Sequence, residues 1–171
     1  MVELMLVVAI GGTLSTMAVS SYKNYQARAR QQEARYLLSI MYTAQLTYHA
    51  QWGIYFGDFA NIGYAPSDNL HFRVGFTGVG PTNQVGYQGP GTGAGVAANP
   101  ARIHTGGALA CEGGPCGESP YGLVFPPITL GNVTWTTFVA EAVGDVDGED
   151  AVWDQWTINH QKVLTNVTPD I

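Results

Sequence analysis

Glu3 stands alone in its surroundings. Residues 1 to 22 carry no other charge, and no Lys, Arg or His precedes Lys23. A carboxylate set into an apolar helix is costly in lipid and in a protein core, so it needs water or a cation. On a helix Lys23 lies about 30 Å away, too far to serve. Two readings fit. In the first, the carboxylate sits near lipid headgroups and reaches water. In the second, helices pack in a staggered array and the carboxylate meets the N-terminal amine of a neighbouring copy.

A second acidic feature is Gly144-Asp-Val-Asp-Gly-Glu-Asp-Ala-Val-Trp-Asp154. Asp145, Asp147, Asp150 and Asp154 place hard oxygen ligands within one loop, a donor set that suits calcium. The glycine falls too early for an EF-hand loop. The other reading is an acidic turn whose Asp side chains cap backbone N–H groups. Cys111 and Cys116 bracket Glu-Gly-Gly-Pro, a turn composition that brings two Cα atoms within disulfide reach. That pairing implies an oxidising compartment. A metal pair is the weaker reading, because no second Cys/His pair lies nearby.

Enzyme chemistry finds little footing. His49, His71, His104 and His160 are scattered, and no H-x-x-x-H pair occurs. There is no G-x-S-x-G, no P-loop and no G-x-G-x-x-G after a strand. The expectation is a non-enzymatic protein without a resident cofactor, calcium at the acidic turn being the exception considered.

Composition points the same way. Net charge is -6 and the pI about 4.9, which argues against nucleic-acid binding through phosphate neutralisation. Only 12% of residues are charged, about half the usual share. Lys23, Arg28, Arg30 and Arg35 hold most of the 7 basic residues, whereas Glu141 to Asp154 and Asp170 hold about half of the 13 acidic ones. The segregation reads either as two solvated faces or as opposite charges meeting between neighbouring subunits.

These residues need elements to position them. The apolar run 1–22 is long enough to span a bilayer. It lacks a basic n-region and flows directly into a polar helix, which argues against a signal peptide. From Tyr22 to Trp52 no Gly or Pro intervenes. Ala34, Leu37, Leu38, Met41, Ala44 and Tyr48 repeat at helical spacing, and Gly53 is a helix stop. Arg28 to Arg35 reads as a wet stretch. Residues 53–70 read as an aromatic-rich connecting loop. Strands are expected at His71–Phe76, alternating, at Thr134–Val143, and at Trp153–Ile158 and Lys162–Val167 around a turn at Asn159–Gln161. Residues 77–122 hold more than half of the glycines and form a long irregular excursion. Asn132-Val-Thr134 and Asn166-Val-Thr168 fit the glycosylation sequon.

Met-Val-Glu-Leu-Met-Leu-Val-Val-Ala-Ile-Gly-Gly, followed by Tyr22, Tyr25 and Gln26-Ala-Arg-Ala-Arg30, resembles the N-terminus of mature type IV pilins and pseudopilins. A softer likeness, Tyr42-Thr-Ala-Gln45 through Gly63-Tyr-Ala-Pro66, is to major pilins with large heads. The resemblance implies a subunit of an extracellular type IV pilus, made as an inner-membrane precursor with a periplasmic head. It implies handling by a prepilin peptidase, which methylates the new N-terminus, and by the pilus assembly machinery. It implies that Glu3 neutralises a neighbour's amine in a homopolymeric helical filament. The family carries two residues, usually Phe-Thr, ahead of the position of Met1, and two such residues are expected here. The family proline falls at Ser20. Its loss removes a fixed kink, and weak helix formers remain, among them Gly11 and Gly12. The helix is expected to loosen between Gly11 and Ser21 in the filament. The acidic turn resembles the C-terminal turn of several pilins and pseudopilins, some of which bind calcium there. Motility, adhesion, DNA uptake and secretion share this plan, so a secretion pseudopilin or a minor pilin or adhesin is the alternative.

The fold expectation is therefore α+β. An apolar filament-core helix (1–22) continues as an amphipathic helix (23–52) packed on an antiparallel β head (53–171).

Overall fold

In a computed structural model of the chain, the described residues are 2–64, 70–77, 103–105, 108–109, 128–146 and 152–169. One helix, α1, runs from Val2 to Trp52 without a break. It ends where Gly53 takes φ 73° and donates its N–H to the His49 carbonyl at 2.8 Å. That left-handed conformation costs a glycine little and any residue with a Cβ more, so the stop sits where the sequence places it. About five turns before that stop the helix is already committed to the head. Ala34, Leu37, Leu38, Met41 and Tyr48 are buried, and Ala44 is partly so.

A second helix, α2 (Phe59–Ile62), interrupts the segment expected as a loop. Phe59 and Ile62 stand three apart and both turn into the core, which a single helical turn achieves and an extended loop does not.

The head is a seven-stranded antiparallel sheet in the described residues. Its strands are β1 (Phe72–Gly75), β2 (Ile103–Thr105), β3 (Ala108–Leu109), β4 (Asn132–Val133), β5 (Phe138–Gly144), β6 (Asp154–Asn159) and β7 (Leu164–Thr168). The spatial order is β3-β2-β1-β5-β6-β7, and β4 joins β5 beyond the end of β1. Thus β5 changes partner along its length: β1 pairs from Phe72↔Gly144 to Gly75↔Glu141, then β4 takes over from Asn132↔Val139 to Val133↔Phe138. Phe138, Ala140, Ala142, Trp156 and Ile158 face α1 and close the core with Phe72, Val74 and Phe76.

Three expectations need correction. β1 does not alternate between wet and dry faces, because all four of its residues are buried. It lies inside the sheet with neighbours on both sides, so its outer residue, Arg73, is also covered. The strand expected from Thr134 begins only at Phe138, because Thr134 to Thr137 form a turn. In it the Thr137 N–H donates to Thr134 Oγ1 and the Thr134 N–H donates to the Thr137 carbonyl. The wet stretch of α1 is interrupted: Ala27 and Gln31 are buried and Glu33 partly so, because the head reaches further down the helix than polarity suggested. The 77–122 excursion lies almost wholly outside the described residues, as do Cys111 and Cys116.

Gly144 closes the edge of β5 against β1. A Cβ there would collide with the His71 carbonyl oxygen and the Phe72 ring. Backbone cannot yield as a flexible side chain can. Gly144→Ala is therefore expected to lower the stability of the head by about 2 to 3 kcal/mol. Chemical denaturation of the full chain in mild detergent, followed by tryptophan fluorescence, reads this as a shift in midpoint.

Candidate functional site

The first half of α1 is an exposed apolar surface. An 18-residue window of this helix has a mean hydropathy of 1.9 and none of it is buried in the chain's own fold. Val2, Leu4, Met5, Val7 and Val8 are all more than 60% exposed. By length and composition the helix can cross a membrane. Glu3 projects from its first turn, a position that also suits a carboxylate beside the positive end of the helix dipole. Among the described residues, burial of α1 against the head begins only at Ala27, well beyond this end.

Three hydroxyls of this half of α1 are turned onto its own backbone. Thr13 Oγ1 donates to the Ile10 carbonyl at 2.9 Å, Ser15 Oγ to Gly11 at 2.8 Å and Thr16 Oγ1 to Thr13 at 2.8 Å. Such groups can leave water without losing a partner. Gly11 and Gly12 lie inside the continuous helix, and a Cβ on either would meet nothing within 4 Å. The helix of the single chain is regular from Gly11 through Ser20. The loosening expected there concerns the assembled state.

Polar latches fix the second half of α1 to the head. Glu33 accepts from the His71 and Phe72 N–H groups at 2.6 and 3.3 Å, and its other oxygen lies 3.0 Å from His71 Nδ1. Arg30 donates to the Val146 carbonyl at 2.6 Å, and the Arg35 guanidinium lies 4.5 Å from the centre of the Trp156 ring. Gln45, fully buried, pairs with Phe56 as a strand would: its Nε2 donates to the Phe56 carbonyl and its Oε1 accepts the Phe56 N–H. Gln45→Ala strands both backbone groups in the core and is expected to cost about 2 to 3 kcal/mol. Limited proteolysis should then cut first between Gly53 and Asp58, ahead of global unfolding.

The acidic end of the head differs from its sequence reading. Asp154 lies on the α1-facing side of β6 and is fully buried. One of its oxygens accepts the Trp156 indole N–H and the other accepts from Asn166 Nδ2 at 3.0 Å. Both of its oxygens thus accept hydrogen bonds inside the head. Asp145 is buried too, while Asp147 and Asp150 lie outside the described residues. Among the described residues no three His, Cys, Asp or Glu side chains come together to hold a metal. The two sequons also part company. Asn132 is exposed, and Asn166 is tied to Asp154.

Sequence reasoning missed Glu141. This fully buried carboxylate occupies the point where β5 exchanges β1 for β4. One of its oxygens accepts the N–H groups of Thr129, Leu130 and Gly131 at 2.8, 2.5 and 2.9 Å, and the other accepts Gln155 Nε2. Successive N–H groups converging on one oxygen form a nest for an anion. Gly131 makes the approach possible, because a Cβ there would lie 2.5 Å from the Gly75 carbonyl oxygen. The sequence signal was available only as a lone Glu inside a strand of Val and Ala.

No protein-family model matches the chain. Among curated proteins it is similar to the type IV major pilin protein PilA of Myxococcus xanthus (strain DK1622), with 45% identity over 67 residues. It is also similar to the type IV major pilin protein PilE of Neisseria gonorrhoeae, with 36% identity over 70 residues. The aligned stretches cover 39% and 41% of this chain but only 30% and 42% of those proteins' own lengths. An uncovered apolar helix that runs unbroken onto an antiparallel sheet stands beside these two matches, so over about two fifths of its length the chain is similar to type IV major pilins.

Proposed function

We propose that the chain is the structural subunit of an extracellular type IV pilus. The observation that carries this reading is the uncovered apolar half of α1 with Glu3 as its only charge, on a helix whose other half is clamped into a folded head. Such a surface is stable only in a bilayer or against copies of itself. Before assembly the helix holds the chain in the inner membrane with the head on the periplasmic side. A prepilin peptidase and the pilus assembly machinery act on it there. On assembly the helices pack into a core, and Glu3 neutralises the N-terminal amine of a neighbour. The names of the two curated relatives support the major-subunit form of this reading.

Image reconstruction of filaments sheared from the cell surface tests it. A core of N-terminal helices with Glu3 beside a neighbour's amine is the expected result. A shear fraction without this chain, with the chain retained in the membrane, overturns the surface-pilus reading. The same map shows whether two residues precede Met1, whether α1 loosens between Gly11 and Ser21, and whether Cys111 and Cys116 are joined.

A further inference from the structure

Glu3 and Lys23 are the first two charges of the sequence, and both lie on α1. About 20 positions part them, which is about 30 Å of helix. The hydrocarbon core of a bilayer has the same thickness, about 30 Å. With the apolar half of α1 upright in a membrane, one charge falls at each boundary. The four side chains Tyr22, Lys23, Tyr25 and Arg28 then crowd the boundary nearer the head.

All four are exposed, Tyr22 by 67% and Tyr25 by 71%. Tyr22, Tyr25 and Arg28 follow one another at steps of three, so they are neighbours along one side of the helix. From Tyr22 to Arg28 the helix rises about 9 Å, close to the depth of one headgroup layer. Burial against the head begins at Ala27, while Arg28 and Ala29 stay exposed, so the head stands directly above this layer. A phenol has an apolar body and a polar tip, which is the shape that a membrane boundary rewards.

The charge of this collar is one-signed. No Asp or Glu lies between Glu3 and Glu33, and Glu33 is taken up by His71 and Phe72. Arg30 is taken up as well, on the Val146 carbonyl. Among the described residues, Lys23 and Arg28 make no hydrogen bond or ion pair. Two cations at headgroup depth with no acid beside them on the helix match the phosphates of anionic lipids. Each cation at an anionic surface contributes about fivefold to partition.

We infer that the Tyr22–Arg28 collar binds anionic phospholipid headgroups of the leaflet beneath the head. Lys23 and Arg28 take the phosphates, and the two tyrosines seat their rings at the hydrocarbon edge. The inference rests on the membrane-held state of the proposed function and adds to it the class of lipid gathered around the waiting chain.

The test uses the full chain reconstituted in phosphatidylcholine vesicles that carry a trace of spin-labelled phosphatidylglycerol or spin-labelled phosphatidylcholine. The fraction of each label that the protein immobilises gives its relative association. The wild-type chain is expected to prefer phosphatidylglycerol by about fivefold or more. The preference is expected to fall close to unity in the double variant Lys23→Gln with Arg28→Gln, and in the wild type at about 1 M salt. Lys162→Gln, on the β6–β7 turn, is expected to keep it. Tryptophan fluorescence of the head shows that each variant is folded. No preference in the wild type, or the same preference in the double variant, overturns the collar and leaves the membrane-held chain standing. If the double variant keeps its lipid preference and loses filaments, the collar serves contact between copies instead. Release of the wild-type chain from cell membranes by alkaline carbonate overturns both.

Discussion

Glu141→Ala is expected to destabilise the head by about 4 kcal/mol or more, the largest effect of any single truncation in the sheet. The substitution removes an acceptor from three backbone N–H groups and from Gln155 Nε2 at once. Gln155 Nε2 keeps Thr129 Oγ1 as an acceptor at 3.4 Å, but the three backbone N–H groups cannot readily turn away, because Thr77 donates both its N–H and its hydroxyl to the Gly131 carbonyl. Each buried donor left unmet costs about 1 to 3 kcal/mol, offset in part by water entering the space vacated. Glu141→Gln keeps the shape and one carbonyl oxygen but exchanges charge-assisted bonds for neutral ones, so about 1 to 2 kcal/mol is expected. Equilibrium denaturation of the full chain in detergent measures both. If the alanine variant loses no more than the glutamine variant, the carboxylate is not what holds β4 and β1 on the same edge of β5.

Glu3→Ala is expected to abolish filaments while leaving the chain in the membrane, folded and at normal abundance. Glu3 is exposed and, among the described residues, burial of α1 begins only at Ala27, so head stability is expected to be unchanged. If each added subunit buries an amine against this carboxylate, removing one member leaves the other uncompensated, at a cost of about 3 to 5 kcal/mol per subunit. That corresponds to a drop of about a hundredfold or more in the equilibrium for growth. Glu3→Asp keeps the charge and shortens its reach, and partial recovery of filaments is expected. Quantitative immunoblots of sheared and membrane fractions separate assembly from abundance. Near-normal filament yield from Glu3→Ala would mean that the carboxylate serves only to reach water beside lipid headgroups.

These two glutamates mark the boundary of what was legible in the sequence. Glu3 was conspicuous because its context is local: one charge in an apolar run is visible without knowing the fold. The length of α1, its stop at Gly53 and its core stripe were legible for the same reason, since helical periodicity is written in neighbouring residues. The pairs β5–β6 and β6–β7 followed from alternation and from turn residues at Asn159 to Gln161. Glu141, Gln45 and Asp154 were not legible as buried acceptors, because their partners lie 2 to 14 residues away in chain but are placed by strand pairing or helix packing. Polarity alone gives no sign of such burial, and for Asp154 it left a cation ligand or a capping turn as the readings. β1 was misread in the same sense. Its alternation was real, but whether a strand has one dry face or two depends on its place in the sheet. The α2 turn was hidden by the aromatic richness of its surroundings.

The continuity of α1 has a mechanical consequence. A load applied along the axis at Val2 meets two regimes in series. Through the first half it is borne by a bare rod, whose only internal ties are its own backbone bonds and which has two glycines at its middle. Beyond Ala27 the load is shared in parallel with the head, and Arg30–Val146, Glu33–His71 and Gln45–Phe56 are arranged along the helix so that detachment must shear them together instead of peeling them one by one. Stretch is therefore expected first in the Gly11–Gly12 neighbourhood, with the head carried along by these latches. A cable built from such units gains extensibility from its centre without loosening its outer wall.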